Sequence, residues 1–541
     1  MGTDFDLIVP EYYNIAWDID GYADGEPQVA IYWEDAIGIT KTLTYQELRH
    51  LSNKFANVLK NIGLTKGDKI LIVLPRIPET YIAYIAALKL GLVISPGSDM
   101  LMPKDLLYRI NQSQAKAIIC YHTLTDRVHK ISSETVSLRY YLTVGGEVEG
   151  WQNYENLIKG MPSKFDPVAT RSDDSAFLCY TSGATGNPKG VIHDHGWVYA
   201  HRALSVKIGF NCGPGTLIWS TVSPAWIKWV HNAFINTLGS GATGLAYNGH
   251  LDGEKYLQMI EKYNVNFLCA TATEYRKISN VDQLDRFKIS SLKNALSAGE
   301  PLNNQVIDKF KRHFNVKVGD GYGQTENTLL ITSLNDMNVK PGSLGRSTLG
   351  DLVRVNDDNG NPLPFGEVGV IAVHRSVRGL FKEYHNDPER TKSVFHGDWY
   401  MTGDLAKMDQ DGYFWFEGRS DDLIISSGYT IGPSEIEEAL LSYENVKECA
   451  VVPSPDAVRG AVVKAFIVID KKVIPSDNLV KKLQNYVKTI TAPYKYPREI
   501  EFVSELPKTV SGKIQRGKLR QLEKQRKQIE NIKTQTVPKD E

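Results

Sequence analysis

An alternation of helical and strand signals over the first 170 residues constrains this chain most. In YQELRHLSNKFANVLKNIG (45–63), Leu48, Leu51, Phe55, Val58 and Leu59 recur on one helical face, and Gly63 offers a stop. KILIVLP (69–75) follows, a short apolar run suited to a strand covered on both faces. A helical PETYIAYIAALKLG (78–91), the run LVIS (92–95), and further runs AKAIICY (115–121) and RYYLTV (139–144) continue the pattern. Such βα alternation predicts an α/β fold, a mostly parallel sheet covered by helices. No period of about 20–50 residues recurs, which excludes a repeat architecture.

At 541 residues the chain is too long for one domain. Its character changes near residue 420. Beyond GDLAKMDQDGYFWFEGRSDDLI come a helical SEIEEALLSY, strand-like VKECAVVP and KAFIVID, a helical LVKKLQNYVKT and a basic stretch. This reads as a separate α+β unit of roughly 100–120 residues. The expected organisation is a large N-terminal domain of helix-covered, mostly parallel sheets (1–419), a hinge (420–423), a small mobile C-terminal α+β domain (424–525), and a charged tail (526–541) that frays from a weak helix.

A formal net charge of −1 gives no electrostatic drive toward nucleic acid or anionic lipid. No apolar run approaches the roughly 18 residues of a membrane span. The acidic opening MGTDFDLIVPEYYN has neither the basic start nor the apolar core of a leader. Five scattered cysteines without a CxxC pair read as reduced thiols, mostly core filler, in a cytoplasmic protein.

One loop, YTSGATGNPKG (180–190), carries chemistry. A P-loop needs GxxxxGK followed by Ser or Thr. Here Gly190 follows Lys189, Pro188 precedes it, and the Gly183–Lys189 spacing is wrong. Phosphate recognition is still within its means. Gly183, Gly186 and Gly190 allow backbone N–H groups to converge, Thr181, Ser182 and Thr185 add hydroxyls, and Lys189 adds a charge. On local chemistry alone an ordinary Gly/Ser/Thr/Pro loop is the preferred reading.

The loop resembles the phosphate loop of the adenylate-forming superfamily, and other stretches resemble its motifs in the same order. These are SAGEPL (297–302), DGYGQTE (320–326), YMTGD (400–404), GRSDDLIISSGYTIGPSEIE (418–437) and PKTVSGKIQR (507–516). ISSGYTIGPSEIE and TAPYKYPREIEFV are most similar to the medium-chain and branched-chain acyl-CoA synthetases of the methylbutyryl-CoA synthetase type. The resemblance implies that ATP converts a carboxylic acid to an acyl-adenylate with loss of pyrophosphate, and that the thiol of coenzyme A then displaces AMP. It implies an ATP site of Thr181, Ser182, Gly183, Ala184, Thr185, Gly186, Asn187, Pro188 and Lys189, with an adenine slot of Gly299, Glu300, Pro301, Asp320, Gly321, Tyr322, Gly323 and Gln324, and Thr325. Asp404 would accept the ribose hydroxyls and Arg419 would lie beside them. Glu326 and Thr185 would hold Mg²⁺ through ATP, a hard cation suited to oxygen ligands. Lys513, with Glu326, Thr181 and Lys189, would form the catalytic set, Lys513 bridging the carboxylate and the α-phosphate.

The family also implies a rotation of the small domain about Asp421, which brings Ser427, Gly428 and Tyr429 toward coenzyme A, with Arg459, Tyr496 and Arg498 binding it. The acyl pocket would comprise Trp226, Trp229, Gly323 and Thr325. Acetate-activating relatives have tryptophan at the Gly323 position, so a longer acid of roughly four to eight carbons is expected here. Trp229 either shortens that pocket or packs in the core. Relatives often have arginine at Thr430, for which Arg419 or Arg378 would compensate. No ligand spacing among His193, His195 and His231 suggests a further metal. Small-molecule substrates and a monomer or homodimer are expected. Loading of a carrier protein, or nucleotide binding without catalysis, are the other readings.

Overall fold

The alternation predicted for the first 170 residues is realised as a sheet. The computed structural model describes residues 7–535 apart from 182–187, 209, 211, 300–301, 303, 335–339, 427–428, 457–458, 492–494 and 510–512, and leaves undescribed the side chains of 207, 421, 425, 429–430 and 530–535. The described chain forms two compact units. One contains 1–339, 345–352 and 374–395, and the other 340–344, 353–373 and 396–541.

In the first unit, one sheet runs Glu383–Tyr384, Lys189–Asp194, Ser175–Thr181, Val93–Pro96, Lys69–Val73, Ala117–Tyr121, Tyr140–Val144 and Gln152–Asn153. Pairing is parallel from Ser175–Thr181 onward and antiparallel among the first three strands. Its central residues Ile70, Leu71, Ile118 and Ile119 are wholly buried, as expected of strands covered on both faces. A second sheet contains the parallel strands Val318–Tyr322, Asn294–Ala298, Phe267–Ala270, Leu217–Ser220, Thr243–Asn248 and Val29–Asp35.

The helix Tyr45–Asn61 starts on a capping box: Thr44 accepts from the Glu47 N–H while the Glu47 carboxylate accepts from the Thr44 N–H. It buries Leu48, Phe55, Val58 and Leu59 and ends before Gly63, whose φ of +99° suits glycine. The next helix, Pro78–Lys89, is buried all round. Its last residue, Lys89, is shielded completely, and its ammonium reaches Asp20 at 2.8 Å, Ser52 at 2.9 Å and Asn53 at 2.6 Å. Burial pushes the Lys89 ammonium below and the Asp20 carboxyl above their ordinary values, and their mutual attraction opposes both shifts.

In the second unit, Val353–Asn356, Val368–His374, Trp399–Met408 and Tyr413–Arg419 are consecutive neighbours, antiparallel within the first pair and within the last. The expected C-terminal α+β elements follow: helices Pro433–Leu441 and Asp477–Ile490 on the sheet Val446–Asp456, Gly460–Ile469 and Glu499–Phe502. Ile436, Leu440, Val451, Ile467, Leu483 and Val487 form their core. The division into units therefore falls elsewhere than residue 420, because residues 353–373 and 396–419 cluster with the C-terminal elements. The basic end is the helix Arg516–Gln535. It is anchored by Glu523, whose carboxylate meets the Lys464 ammonium at 2.7 Å and the Ser454 hydroxyl at 2.9 Å. All five cysteines are free thiols. No helix among the described residues is long and apolar enough to cross a membrane.

Removing one partner of a buried ion pair leaves the other uncompensated. Asp20→Ala should therefore destabilise the first unit by about 3 kcal/mol, and adding Lys89→Met should recover much of it. Urea unfolding of the single and double variants would check this; equal stability of Asp20→Ala and the parent would show that Lys89 needs no counter-charge.

Candidate active site

The strands Ser175–Thr181 and Lys189–Asp194 form a hairpin with Thr181 opposite Lys189. Its tip, with the predicted Ser182, Gly183, Ala184, Thr185, Gly186 and Asn187, lies outside the described residues. At its base the Pro188 carbonyl accepts from the Tyr108 hydroxyl at 2.9 Å. Gly190 lies within a strand, and a Cβ there would come 2.8 Å from Leu178 Cδ1. Its lack of a side chain thus serves close packing, where the sequence suggested a turn that gathers N–H groups.

Lys189 leaves the hairpin on the face toward Glu326. Its Nζ lies 2.5 Å from Glu326 Oε1 and donates to the Tyr384 hydroxyl at 3.0 Å, and that hydroxyl donates to Glu326 Oε1 at 2.8 Å. The ammonium also lies 4.7 Å from the Tyr384 ring centroid. Glu326 is 5% and Tyr384 2% exposed, whereas 26% of the Lys189 side chain is exposed. A nearly buried carboxylate is thus met from the solvent side by a flexible cation and from within by a fixed hydroxyl.

The remaining predicted nucleotide residues of this unit lie at or just past the ends of two neighbouring parallel strands, Asn294–Ala298 and Val318–Tyr322, paired through Ala298 and Gly321. The carboxyl ends of parallel strands are where ligands of open α/β sheets gather. Gly299 has a φ of +100°, while Glu300 and Pro301 lie outside the described residues. Asp320 is buried and accepts from the backbone N–H of Gly321 at 2.8 Å and of Leu302 at 3.3 Å. Burial pushes its carboxyl up to about 6, although both N–H groups pull the other way. Tyr322 is half-buried and ends its strand. Gln324 and Thr325 begin a turn closed by Asn327, which accepts from the Gln324 N–H at 2.8 Å. At Gly323 a Cβ would come 2.4 Å from the Thr328 carbonyl oxygen, so this backbone accepts no side chain there.

Trp226 precedes the helical turn Ile227–Trp229 and is half-buried. Trp229 is fully buried against Tyr81, Tyr84 and Phe234, with ring centroids 4.8, 5.2 and 6.2 Å away. Of its two readings, the core position is the one observed. A π-helix, Val230–Asn236, follows, a form that recurs at functional sites.

Sequence reasoning missed four features here. Tyr384 was unremarkable in KEYHN. Lys228 donates to the carbonyls that end two parallel strands, Ala270 at 2.6 Å and Ala298 at 3.0 Å. His193, Trp197, His201 and His231 stack in one buried column, with the His193–Trp197 and His201–His231 ring centroids each 3.9 Å apart. His201 Nδ1 lies 2.5 Å from Thr328 Oγ1, beside the QTE turn. Burial pushes His193 and His201 down to about 3 and His195 to about 4, so these rings are neutral. Among the described residues no three His, Cys, Asp or Glu side chains stand together as a metal cage.

The second unit holds the other predicted residues. Asp404 and Arg419 face each other across an antiparallel pair, Nη1 to Oδ1 at 3.2 Å, with Asp404 buried and Arg419 exposed. Asp421 lies in the short turn Ser420–Asp422, whose Asp422 is paired with Arg520 of the last helix. Ser427 and Gly428 lie outside the described residues, as do the side chains of Tyr429 and Thr430. Arg498 donates to the Tyr496 hydroxyl at 2.8 Å, bringing two of the predicted coenzyme A residues together, while Arg459 is exposed near Asp456, which accepts from its N–H at 2.8 Å. Lys513 is exposed on a loop fixed by Thr509: the Thr509 N–H donates to the Lys513 carbonyl at 2.7 Å, and its hydroxyl accepts from the Lys513 N–H at 3.1 Å.

Residues 23–385 match the family model described as AMP-binding enzyme, and residues 435–513 the model of its C-terminal domain. An uncharacterised acyl-CoA ligase of Bacillus subtilis, YtcI, is 48% identical over 96% of this chain and 98% of its own. The mitochondrial acyl-coenzyme A synthetase ACSM3 of Rattus norvegicus is 38% identical over 97% of this chain and 93% of its own. Among solved structures, the anthranilate CoA ligase AuaEII in complex with anthranoyl-AMP superposes with a TM-score of 0.88 at 27% identity, covering 97% of this chain and 99% of that one.

The Asp320 carboxyl titrates near 6 in the folded chain against an ordinary 3.8. Between these values the native state holds a proton that the unfolded chain has released. This contribution is complete below pH 3.8, and is lost as pH rises through 6. Asp320→Asn removes it, so the variant should gain about 3 kcal/mol relative to the parent between pH 4 and pH 6. Paired denaturant titrations across that range would show a constant difference if Asp320 titrated normally.

Proposed function

The chain belongs to the AMP-binding enzyme family and is an AMP-forming acyl-CoA ligase, and we propose that its acids are short branched or medium-chain fatty acids. The observation that carries the assignment of chemistry to residues is the contact of the partly exposed Lys189 ammonium with the buried Glu326 carboxylate at the base of the Thr181–Lys189 hairpin. The substrate reading is supported by Gly323, where no side chain can close the pocket as tryptophan would.

In this reading the hairpin and Lys189 bind the β- and γ-phosphates of ATP. Glu326 offers a single hard oxygen ligand beside a position that already accommodates a cation, which suits Mg²⁺ brought by the phosphates better than a caged metal. When bound, Mg²⁺ would neutralise charge on the transferred nucleotide. The adenine lies among Gly299–Pro301 and Asp320–Gln324, and the Asp404 carboxylate accepts the ribose hydroxyls with Arg419 beside it. Trp226, Gly323 and Thr325 border the acyl group.

Lys513 supplies the cation for the first step, in which a carboxylate oxygen attacks the α-phosphorus and pyrophosphate leaves. An ammonium between two approaching anions lowers that barrier by about 3–4 kcal/mol. In the second step the thiol of coenzyme A attacks the acyl carbon and AMP departs. Ser427–Tyr429, Arg459, Tyr496 and Arg498 serve this step, and a pivot at Asp421 separates the two settings of the C-terminal residues. The protein acts in the cytoplasm as a monomer or homodimer.

Coenzyme A-dependent AMP release across straight, branched and aromatic acids tests the substrate class. The highest kcat/KM is expected for branched and medium-chain acids; a maximum at acetate or at an aromatic acid would overturn it. Lys513→Ala should slow acyl-adenylate formation at least 100-fold and largely spare thioester formation from supplied acyl-adenylate. Equal loss of both half-reactions, followed by pyrophosphate release and by thioester yield, would refute the division of labour.

A further inference from the structure

We propose that Tyr384 is a positioning residue for nucleotide activation, holding the Glu326 carboxylate in place while its cationic partner changes from Lys189 to the metal carried by ATP. The inference rests on the adenylation reading above.

Three segments far apart in sequence meet at one carboxylate oxygen. Glu326 Oε1 receives both the Lys189 ammonium at 2.5 Å and the Tyr384 hydroxyl at 2.8 Å. The two donors also touch each other at 3.0 Å, which closes a triangle. The donors differ in freedom. Lys189 reaches in on a flexible stem with a quarter of its side chain in solvent. Tyr384 has no such latitude, since its ring is buried and packs on Phe381 with centroids 4.8 Å apart.

The backbone around Tyr384 fixes it against both partners. Glu383 and Tyr384 pair with Ile192 and Val191 of the strand that begins at Lys189. Tyr384 opposes Val191, so it shares a sheet face with Lys189, two residues along. The Lys382 N–H donates to the Ile192 carbonyl and the His385 N–H to the Gly190 carbonyl, each at 2.8 Å. On the other side the Phe381 N–H donates to the Glu326 carbonyl at 2.7 Å. One five-residue segment therefore grips the strand of the lysine and the backbone of the glutamate together.

This arrangement solves a problem of charge. A carboxylate as buried as Glu326 needs a positive partner. Lys189 fills that need here, with its ammonium on Oε1. Bound triphosphate would draw the flexible ammonium toward its own oxygens, and Glu326 would then hold Mg²⁺ carried by the nucleotide as its new counter-charge. Through that exchange the Tyr384 hydroxyl stays on Oε1 and leaves the rest of the carboxylate for the metal. Without it the carboxylate has a single, mobile donor and turns with Lys189.

Tyr384→Phe deletes only the hydroxyl and keeps the ring. The dissociation constant of the Mg²⁺ complex of the β,γ-imido analogue of ATP, read by calorimetry, should rise about tenfold, the usual cost of one hydrogen bond to a charged group. The Mg²⁺ concentration for half-maximal binding should rise with it, while AMP binding without Mg²⁺, the melting temperature and thioester formation from supplied acyl-adenylate should stay near the parent values. Unchanged analogue affinity and Mg²⁺ dependence would overturn the proposal. So would a parallel fall of both half-reactions and melting temperature, which marks packing alone. Glu326→Gln separates the inference from its premise: if that variant retains Mg²⁺-dependent analogue binding, the metal role of Glu326 fails, and the Tyr384 proposal with it.

Discussion

A carboxylate withdrawn from water must be given positive charge and hydrogen bonds, and in the first unit that constraint falls on Glu326. Isolating such an anion costs several kcal/mol, so the fold delivers its partners on rigid elements. The strand starting at Lys189 is paired on one side with Ser175–Thr181 and on the other with Glu383–Tyr384. Both the ammonium and the hydroxyl on Oε1 are therefore set by sheet register. Gly190 allows this closeness, because a side chain there would strike Leu178 and crowd His385. The chemistry at Glu326 is in this sense a property of the three-strand antiparallel edge of an otherwise parallel sheet.

The same logic marks which parts were legible in the sequence. Periodicity located the helix Tyr45–Asn61 and its stop at Gly63, because both depend on neighbours in the chain. Continuous apolar runs located the buried strands Lys69–Val73 and Ala117–Tyr121. Lys189 and Glu326 were legible through short motifs that resemble a family. Tyr384 was not, because it lies 195 residues from Lys189 and only pairing of strands brings it near. The histidine column was invisible for a related reason: His193 and His201 stand on a strand and the helix after it, while His231 arrives on a π-helix whose register no 3.6-residue pattern describes.

The change of composition and the division into compact units fall at different places. The charged, turn-rich stretch near residue 420 marks a local change of backbone, with Ser420–Asp422 as a short turn between strands. Compactness is set instead by packing, and the strands Trp399–Met408 and Tyr413–Arg419 cluster with the C-terminal helices and sheet. A pivot and a domain boundary need not coincide. A pivot requires a few residues that can change φ and ψ, whereas a boundary requires few contacts across it.

Lys189 and Lys513 show how burial assigns different work to the same side chain. Lys189 is held by a buried carboxylate and a buried hydroxyl, so it is resident before any ligand arrives. Lys513 has its backbone pinned at both N–H and carbonyl by Thr509, but its side chain stands exposed on the loop. A fixed backbone beneath an exposed side chain presents charge with little backbone entropy to lose. The proposed chemistry asks for both kinds: a permanent cation to receive polyphosphate, and a transient one that draws an acid and a phosphate together and is absent when a neutral thiol must reach the acyl carbon.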